Sequence, residues 1–171
     1  MEWVNAMLLG LSKIMDCPGG ILSFETTLDL SGEVFGGCKP VSEPVVCRGQ
    51  VRNTAGVLVL TGTLSTVLHG VCDRCAASFE RAVEFPVEAV LVRELVNEDE
   101  ADQWTFLLDG DSADLDEIMT TAFVLSMDTK LLCREDCKGI CPKCGKNLNE
   151  GPCGCKPDLD PRFAALQQLL K

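Results

Sequence analysis

Six of the chain's eleven cysteines lie within one short segment, CREDCKGICPKCGKNLNEGPCGC, from Cys133 to Cys155. A Cys-x-x-Cys turn brings two thiolates close enough to fill two corners of one zinc tetrahedron, with Zn–S distances of about 2.3 Å. The chain has two such turns, Cys72/Cys75 and Cys141/Cys144. These thiols predict a closed, structural metal site in which sulfur fills every corner and no position remains for a catalytic water.

Eight clustered thiols are enough for two sites of four ligands each. The first predicted set combines a turn with a nearby pair and can close locally: Cys141, Cys144, Cys153 and Cys155. The second joins the other turn to a pair at i, i+4 spacing: Cys72, Cys75, Cys133 and Cys137. One site that joins the two Cys-x-x-Cys turns is the main alternative, so the sequence predicts one or two structural zinc ions.

Other thiol chemistries stay open as alternatives. The N-terminus, MEWVNAMLLGLSKIMDC, has no basic residue before its apolar stretch, so we expect a cytoplasmic protein, where thiols stay reduced and disulfides are rare. Iron can also occupy a sulfur tetrahedron, although the Cys spacing of bacterial ferredoxins is not present. A thiol redox enzyme is the main functional alternative, but neither turn follows a strand and opens a helix, as thioredoxin-like motifs do.

The remaining cysteines, Cys17, Cys38 and Cys47, are expected to be small buried hydrophobic residues. The sequence contains no Gly-rich phosphate loop, Gly-x-Ser-x-Gly elbow or His-Glu-x-x-His helix. We therefore expect a protein that is not an enzyme.

The elements that must position these thiols are mostly extended. Strands are predicted over 21–30, 45–53 and 57–71, and the next strand shows the clearest alternation. Its apolar residues all have odd numbers and so point to one face of the strand: Phe79, Val83, Phe85, Val87, Ala89 and Leu91. Its acidic residues have even numbers and point to the other face: Glu80, Glu84 and Glu88. One buried and one solvated face are typical of an antiparallel sheet. The Cys72/Cys75 turn falls at the tip of the hairpin between the last two strands.

Helices are predicted before and after these strands in the sequence. Apolar residues from Trp3 to Met15 repeat at the spacing of one helix face. A second helix is expected to begin at Asp114 as N-cap, and a third at Asp160-Pro161. Pro86 suggests an edge position or a bulge in its strand, and 104–108 are expected to form a short return strand.

The predicted fold class is α+β: a mostly antiparallel β-sheet with flanking helices and a C-terminal cysteine-rich zinc-knuckle module. Residues 1–130 would form the sheet domain with its N-terminal helix. Residues 131–171 would form the zinc module and a C-terminal helix that packs back on the sheet.

The charge distribution limits the partners. The formal net charge is -11, which argues against a broad basic surface for nucleic acid. Ten acids and no bases lie between Glu94 and Glu117, whereas six bases and three acids lie between Lys130 and Lys156. No apolar run reaches the roughly 20 residues that a membrane-spanning helix needs, so no membrane partner is expected.

Three segments in order carry a resemblance to a known family: CDRCAASFERAVEFPVEAVLV from Cys72, CREDCKGICPKCGKNLNEGPCGC from Cys133, and DPRFAALQQL from Asp160. Together they resemble the YceD family of large ribosomal RNA subunit accumulation proteins. The resemblance implies a role in accumulation of large-subunit ribosomal RNA, and hence in maturation or assembly of the large ribosomal subunit. It implies no known catalytic activity.

The resemblance and the charge together leave two partners open. Precursor large-subunit ribosomal RNA would have to contact the basic cysteine segment, since the rest of the chain is acidic. A basic ribosomal protein could instead be attracted by the acidic stretch from Glu94 to Glu117. The sequence leaves the oligomeric state open.

Overall fold

A computed structural model describes residues 7–94 and 104–155 of the chain. The elements, in chain order, are β1 (Leu8–Gly10), α1 (Ser12–Met15), β2 (Ile21–Leu28), β3 (Val45–Thr54), β4 (Val57–Val71), β5 (Ser78–Val92), β6 (Thr105–Leu107), β7 (Ser112–Asp114) and α2 (Leu115–Ser126). The described part of the chain is thus mostly strand with two helices. This confirms the predicted α+β class in its broad form.

Five strands form one sheet in the order β2-β3-β4-β5-β6, and β1 pairs with β7 in a small second sheet. All pairings are antiparallel except that of β6 with β5, which is parallel. The short strand predicted over 104–108 is therefore present, but it runs alongside β5 instead of returning antiparallel to it. A parallel pairing cannot be closed by a two-residue hairpin and needs a longer connection.

The core lies on one face of the sheet, and alternation along β4 and β5 sets that face. On β4 the predicted inward residues are all buried: Leu58, Leu60, Leu64 and Leu68. On β5 the three glutamates are exposed, as predicted, and the predicted apolar residues of the other face are all partly or fully buried: Phe79, Val83, Phe85, Val87, Ala89 and Leu91. Helix α2 covers this face, and the fully buried Phe123 packs edge-to-face on Phe35 and Phe85, with ring centroids 5.7 and 5.6 Å away.

Pro86 lies where β5 has a neighbour on one side. It pairs with Thr63 of β4, and within the described residues β6 pairs only with Val90–Val92. The missing N–H of proline is tolerated at such a position. This confirms the predicted edge position.

Helix α2 begins at its predicted N-cap. The Asp114 carboxylate accepts hydrogen bonds from the N–H groups of Asp116 (3.0 Å) and Glu117 (3.1 Å), which are free at a helix start. The helix predicted to begin at Asp160 falls outside the described residues. The predicted division of the chain after residue 130 stays a prediction. No helix within the described ranges has the length and apolar character needed to cross a membrane.

The predicted N-terminal helix is wrong over the residues that the structure describes. Instead of one helix, β1 pairs with β7 and only the four residues of α1 are helical. Gly10 is unfavourable inside a helix by about 1 kcal/mol, and β7 supplies backbone partners that the local sequence cannot reveal. Leu11 and Ile14 are buried, whereas Met7 and Leu8 are exposed, so the apolar pattern marked only part of the core correctly and did not predict the conformation.

No sequence pattern predicted the role of the buried Asn53, which fixes α1 to the turn between β3 and β4. Its side-chain N–H group donates to the carbonyl oxygens of Ile14 (2.8 Å) and Met15 (2.6 Å). Its side-chain oxygen accepts from the N–H of Gly56 (2.8 Å). With 1% of its surface exposed, Asn53 satisfies one buried and two part-buried backbone groups.

Candidate metal centre

The first Cys-x-x-Cys turn lies at the tip of the β4–β5 hairpin, where the sequence placed it. The N–H of Ala76 donates to the carbonyl oxygen of Cys72 (2.8 Å), and the N–H of Cys72 donates to the carbonyl oxygen of Ala77 (2.9 Å). Ala76 has the positive φ of 55° that this tight turn requires. Both thiols of the turn are buried, with 2% and 6% of their surface exposed.

The second turn has the same backbone geometry. The N–H of Gly145 donates to the carbonyl oxygen of Cys141 (2.9 Å), and the N–H of Cys141 donates to that of Lys146 (2.8 Å). Gly145 takes the positive φ, 71°, that Ala76 takes in the first turn. Glycine suits this position because it lacks a Cβ.

The four sulfurs of the first set come together in what we call the hairpin cluster. All four lie within 4.8 Å of one another: Cys72, Cys75, Cys133 and Cys137. The Sγ atoms of Cys72 and Cys137 are 3.8 Å apart, and those of Cys75 and Cys133 are 3.7 Å apart. A zinc tetrahedron with Zn–S bonds of about 2.3 Å has edges of about 3.8 Å, whereas a disulfide bond is about 2.0 Å long. The sulfur spacing therefore fits a tetrahedral metal.

The other four sulfurs form the loop cluster and also lie within 4.8 Å of one another: Cys141, Cys144, Cys153 and Cys155. Cys141 is buried, whereas Cys144 and Cys155 are exposed. The structure thus brings the eight thiols together in the predicted partition. It does not join the two turns into one site, which was the main alternative.

Backbone contacts fix the cysteine segment to the hairpin tip. The N–H of Asp73 donates to the carbonyl oxygen of Leu131 (2.9 Å), and the N–H of Leu131 donates to the Asp73 carboxylate (2.7 Å). The Arg74 guanidinium donates to the carbonyl oxygen of Cys137 (3.1 Å), and the Arg74 carbonyl accepts from the N–H of Ile140 (3.1 Å). Asp73 and Arg74, the two residues between the cysteines of the first turn, therefore attach the cysteine segment to the hairpin tip.

The family model described as Large ribosomal RNA subunit accumulation protein YceD matches residues 60–170, a range that contains both clusters and all but the first three residues of the β4–β5 hairpin. The chain belongs to the YceD family.

Relatives of this YceD-family chain are found in mycobacteria. Uncharacterized proteins of Mycobacterium bovis and Mycobacterium tuberculosis are each 31% identical over 121 residues, which is 67% of this chain and 56% of the relative. An uncharacterized protein of Mycobacterium leprae is 24% identical over 179 residues, covering 98% of this chain and 79% of the relative. The chain therefore spans little more than half the length of the first two. No solved structure matches it.

At least one thiol in each cluster is stabilised as a thiolate. Burial alone would raise the pKa of Cys72, but backbone N–H groups, foremost that of Cys133, outweigh it and lower this pKa to about 6. The backbone N–H groups of Cys144 and Lys143 lower the pKa of Cys141 to about 6. N–H groups that point at sulfur favour its charged form, which is the form that binds metal.

A second thiol in each cluster keeps its proton at neutral pH. Burial and the neighbouring cysteines raise the pKa of Cys133 to about 12. The Cys144 sulfur beside it, with some burial, raises the pKa of Cys155 to about 12. Four thiolates so close together repel one another unless a cation lies between them. Binding of a divalent metal would therefore release these protons.

Sequence reasoning missed the polar residues around the sulfurs. Arg74 was read only as part of a motif, yet it holds the backbone at Cys137. Asn149 lies inside the cysteine segment without a predicted role, yet its side-chain N–H group lies 3.3 Å from the Cys137 sulfur. Polar residues inside a cysteine motif were the available signal, because metal-binding thiolates commonly accept hydrogen bonds from outer groups.

The three cysteines outside the clusters were expected to be buried. Cys47 is fully buried, which raises the pKa of its thiol to about 11. For Cys17 and Cys38 the prediction is wrong, because both are exposed. The Cys38 thiol donates to the carbonyl oxygen of Phe35 (3.1 Å), so its place is set by the surface loop and not by packing.

The two turns offer a matched pair of substitutions. Gly145→Ala places a Cβ at a φ of 71° in open space, so the cost is the backbone strain of about 1 kcal/mol. We expect a roughly fivefold loss of zinc affinity at the loop cluster and little change at the hairpin cluster. Ala76→Gly removes the same strain from the hairpin turn and should not weaken either site. Zinc titration against a chelator of known affinity measures both, and a loss of affinity in Ala76→Gly alone would contradict the argument.

Proposed function

We propose that this YceD-family chain is a zinc-stabilised, non-enzymatic factor that supports accumulation of large-subunit ribosomal RNA and assembly of the large ribosomal subunit. One observation carries the proposal: the family match covers a stretch in which eight cysteines lie in two compact sets of four. The family description supplies the ribosomal context, and the thiol geometry supplies the structural role of the metal.

Zinc is the proposed metal because four thiolates at the edge length of a tetrahedron match its preferred site. The clusters would hold the cysteine segment and the hairpin tip together. In small modules the free energy of zinc binding stabilises the fold where the hydrophobic core is too small to do so. Iron in the same tetrahedron would give a coloured protein. Metal analysis of the purified chain separates the two.

A non-enzymatic role is proposed because four sulfur ligands leave no open metal position for a water or a substrate. The alternative is a thiol redox enzyme that uses one of the Cys-x-x-Cys turns. It has less support, because the Cys72/Cys75 turn is buried and leads into β5 instead of a helix N-terminus.

The proposed direct partner is a basic ribosomal protein. The segment from Lys130 to Lys156 has a charge of +3 only while its thiols are neutral. Each zinc with four thiolates contributes -2, so two ions leave the loaded module, hairpin cysteines included, at -1. The open face of β5 adds three exposed acids, Glu80, Glu84 and Glu88. An acidic surface attracts basic partners and repels phosphate.

Depletion of the protein in the cells that encode it tests the ribosomal role. We expect the ratio of large-subunit to small-subunit ribosomal RNA to fall, and to recover with the wild-type chain or with Cys38→Ser, but not with Cys72→Ser. Crosslinking to the tagged, functional chain should recover a ribosomal protein. Recovery of precursor RNA alone would favour RNA as the partner, and an unchanged ratio after depletion would contradict the proposed function.

A further inference from the structure

We propose that Asn149 couples the two cysteine clusters, so that metal bound by the loop cluster strengthens metal binding by the hairpin cluster. This inference rests on the proposed metal binding and concerns how the two sites depend on each other. Asn149 lies in the chain between Cys144 and Cys153, within the loop that the loop cluster closes. Its side chain nevertheless contacts a sulfur of the hairpin cluster, that of Cys137.

The orientation of the Asn149 amide is fixed by its own partners. Its side-chain oxygen accepts from the Arg134 guanidinium (2.8 Å) and from the N–H of Lys138 (2.8 Å). Since both partners only donate, the oxygen must face them and the N–H group must face the Cys137 sulfur, 3.3 Å away. The amide therefore donates to the Cys137 sulfur.

The loop holds Asn149 from the other side. The side-chain oxygen of Asn147 accepts from the backbone N–H of Asn149 (3.0 Å) and from its side-chain N–H group (2.9 Å). The N–H of Leu148 donates to the carbonyl oxygen of Gly139 (2.9 Å). Asn147, Leu148 and Asn149 themselves lie in a loop of 141–155 whose two ends meet at the loop cluster, so the position of Asn149 depends on closure of that loop.

Coupling follows from this arrangement. If the loop cluster loses its metal, the loop is released and Cys137 loses its amide donor, which stabilises the metal-bound thiolate. Loss of such an outer hydrogen bond typically lowers metal affinity about tenfold or more. By thermodynamic linkage the effect is reciprocal, so metal at the hairpin cluster must favour the loop cluster by the same factor.

Zinc competition titrations on the full-length chain test the coupling in a double-mutant cycle. Cys144→Ser disables the loop cluster and should lower zinc affinity at the hairpin cluster about tenfold. Asn149→Asp keeps the oxygen that accepts from Arg134 and Lys138 but replaces the donor to sulfur, and should lower the same affinity at least as much. The double variant should be no weaker than Asn149→Asp alone, because the shared contact is already lost.

Asn147→Asp is the matched control, since it adds the same charge two residues away and keeps the oxygen that accepts from Asn149. It should retain most of the hairpin-cluster affinity. With cobalt(II) in place of zinc, the sulfur-to-metal charge-transfer band of the hairpin cluster should shift in Asn149→Asp and Asn149→Ala but not in the control. A loss of folding alone would not move that band in this selective way.

The outcomes separate this inference from the proposed function. A wild-type chain that binds two metal ions, together with unchanged hairpin-cluster affinity in both Cys144→Ser and Asn149→Asp, would overturn the coupling and leave the metal sites in place. A wild-type chain that binds no metal would overturn the proposed metal binding, and this inference with it.

Discussion

Replacing Cys141 by serine is expected to reduce the bound zinc from two ions per chain to one and to loosen residues 133–155 while the sheet persists. Cys141 is buried, and its sulfur accepts hydrogen bonds from backbone N–H groups. A serine hydroxyl in the same place is a poor zinc ligand. The sheet has its own core around the fully buried Leu60, Leu64 and Phe123, which does not depend on the metal. Mass spectrometry of the native protein gives the metal count.

Hydrogen exchange measures the expected loosening of residues 133–155. Amide protection should fall in 133–155 and be retained in β3 and β4. Cys38→Ser is the matched control, because Cys38 is exposed and lies outside both clusters, and it should keep two ions and full protection. Two ions in the Cys141→Ser chain would refute the partition of the thiols.

Replacing Asn53 by alanine is expected to destabilise the sheet domain by about 3–5 kcal/mol. The buried carbonyl oxygen of Ile14, the part-buried carbonyl oxygen of Met15 and the part-buried N–H of Gly56 would lose their partner. Each buried polar group left without a hydrogen bond costs about 1–3 kcal/mol. Urea unfolding of the zinc-loaded chain, at one fixed zinc concentration, measures the change in the free energy of unfolding.

Two further variants test the cause of this loss. Asn53→Asp keeps the oxygen that accepts from Gly56 but turns an oxygen toward the two carbonyls, so it should be at least as destabilising as alanine. Thr54→Ala changes the exposed neighbour of Asn53 on the same strand and should cost less than about 0.5 kcal/mol. Equal losses in Asn53→Ala and Thr54→Ala would contradict the role of the buried amide.

Much of the site was predictable because its geometry is local. A Cys-x-x-Cys turn fixes the distance between two sulfurs within five residues, and both turns of this chain adopt one backbone geometry with Ala76 or Gly145 at positive φ. Only the pairing of each turn with a distant cysteine pair required the fold. The partition could be reasoned from loop length, since Cys141 and Cys155 are close enough in sequence for their loop to close at low entropic cost.

Alternation likewise determined which face of β4 and β5 is buried, because side chains of a strand point to opposite sides in strict sequence. The N-cap of α2 was predictable for the same reason, as Asp114 bonds to N–H groups two and three residues further on. These features depend on neighbours along the chain. Their physical causes are therefore visible in the sequence.

The tertiary structure decided what distant segments do to one another. Residues 8–10 are a strand because β7, about a hundred residues later, offers them backbone partners, and this outweighs a helical apolar pattern. The same is true of Asn53, which bonds across nearly forty residues, and of Asn149, which reaches from one cluster to a sulfur of the other. Hydrogen bonds of this kind join groups that only the folded chain brings together, so no residue spacing in the sequence predicts them.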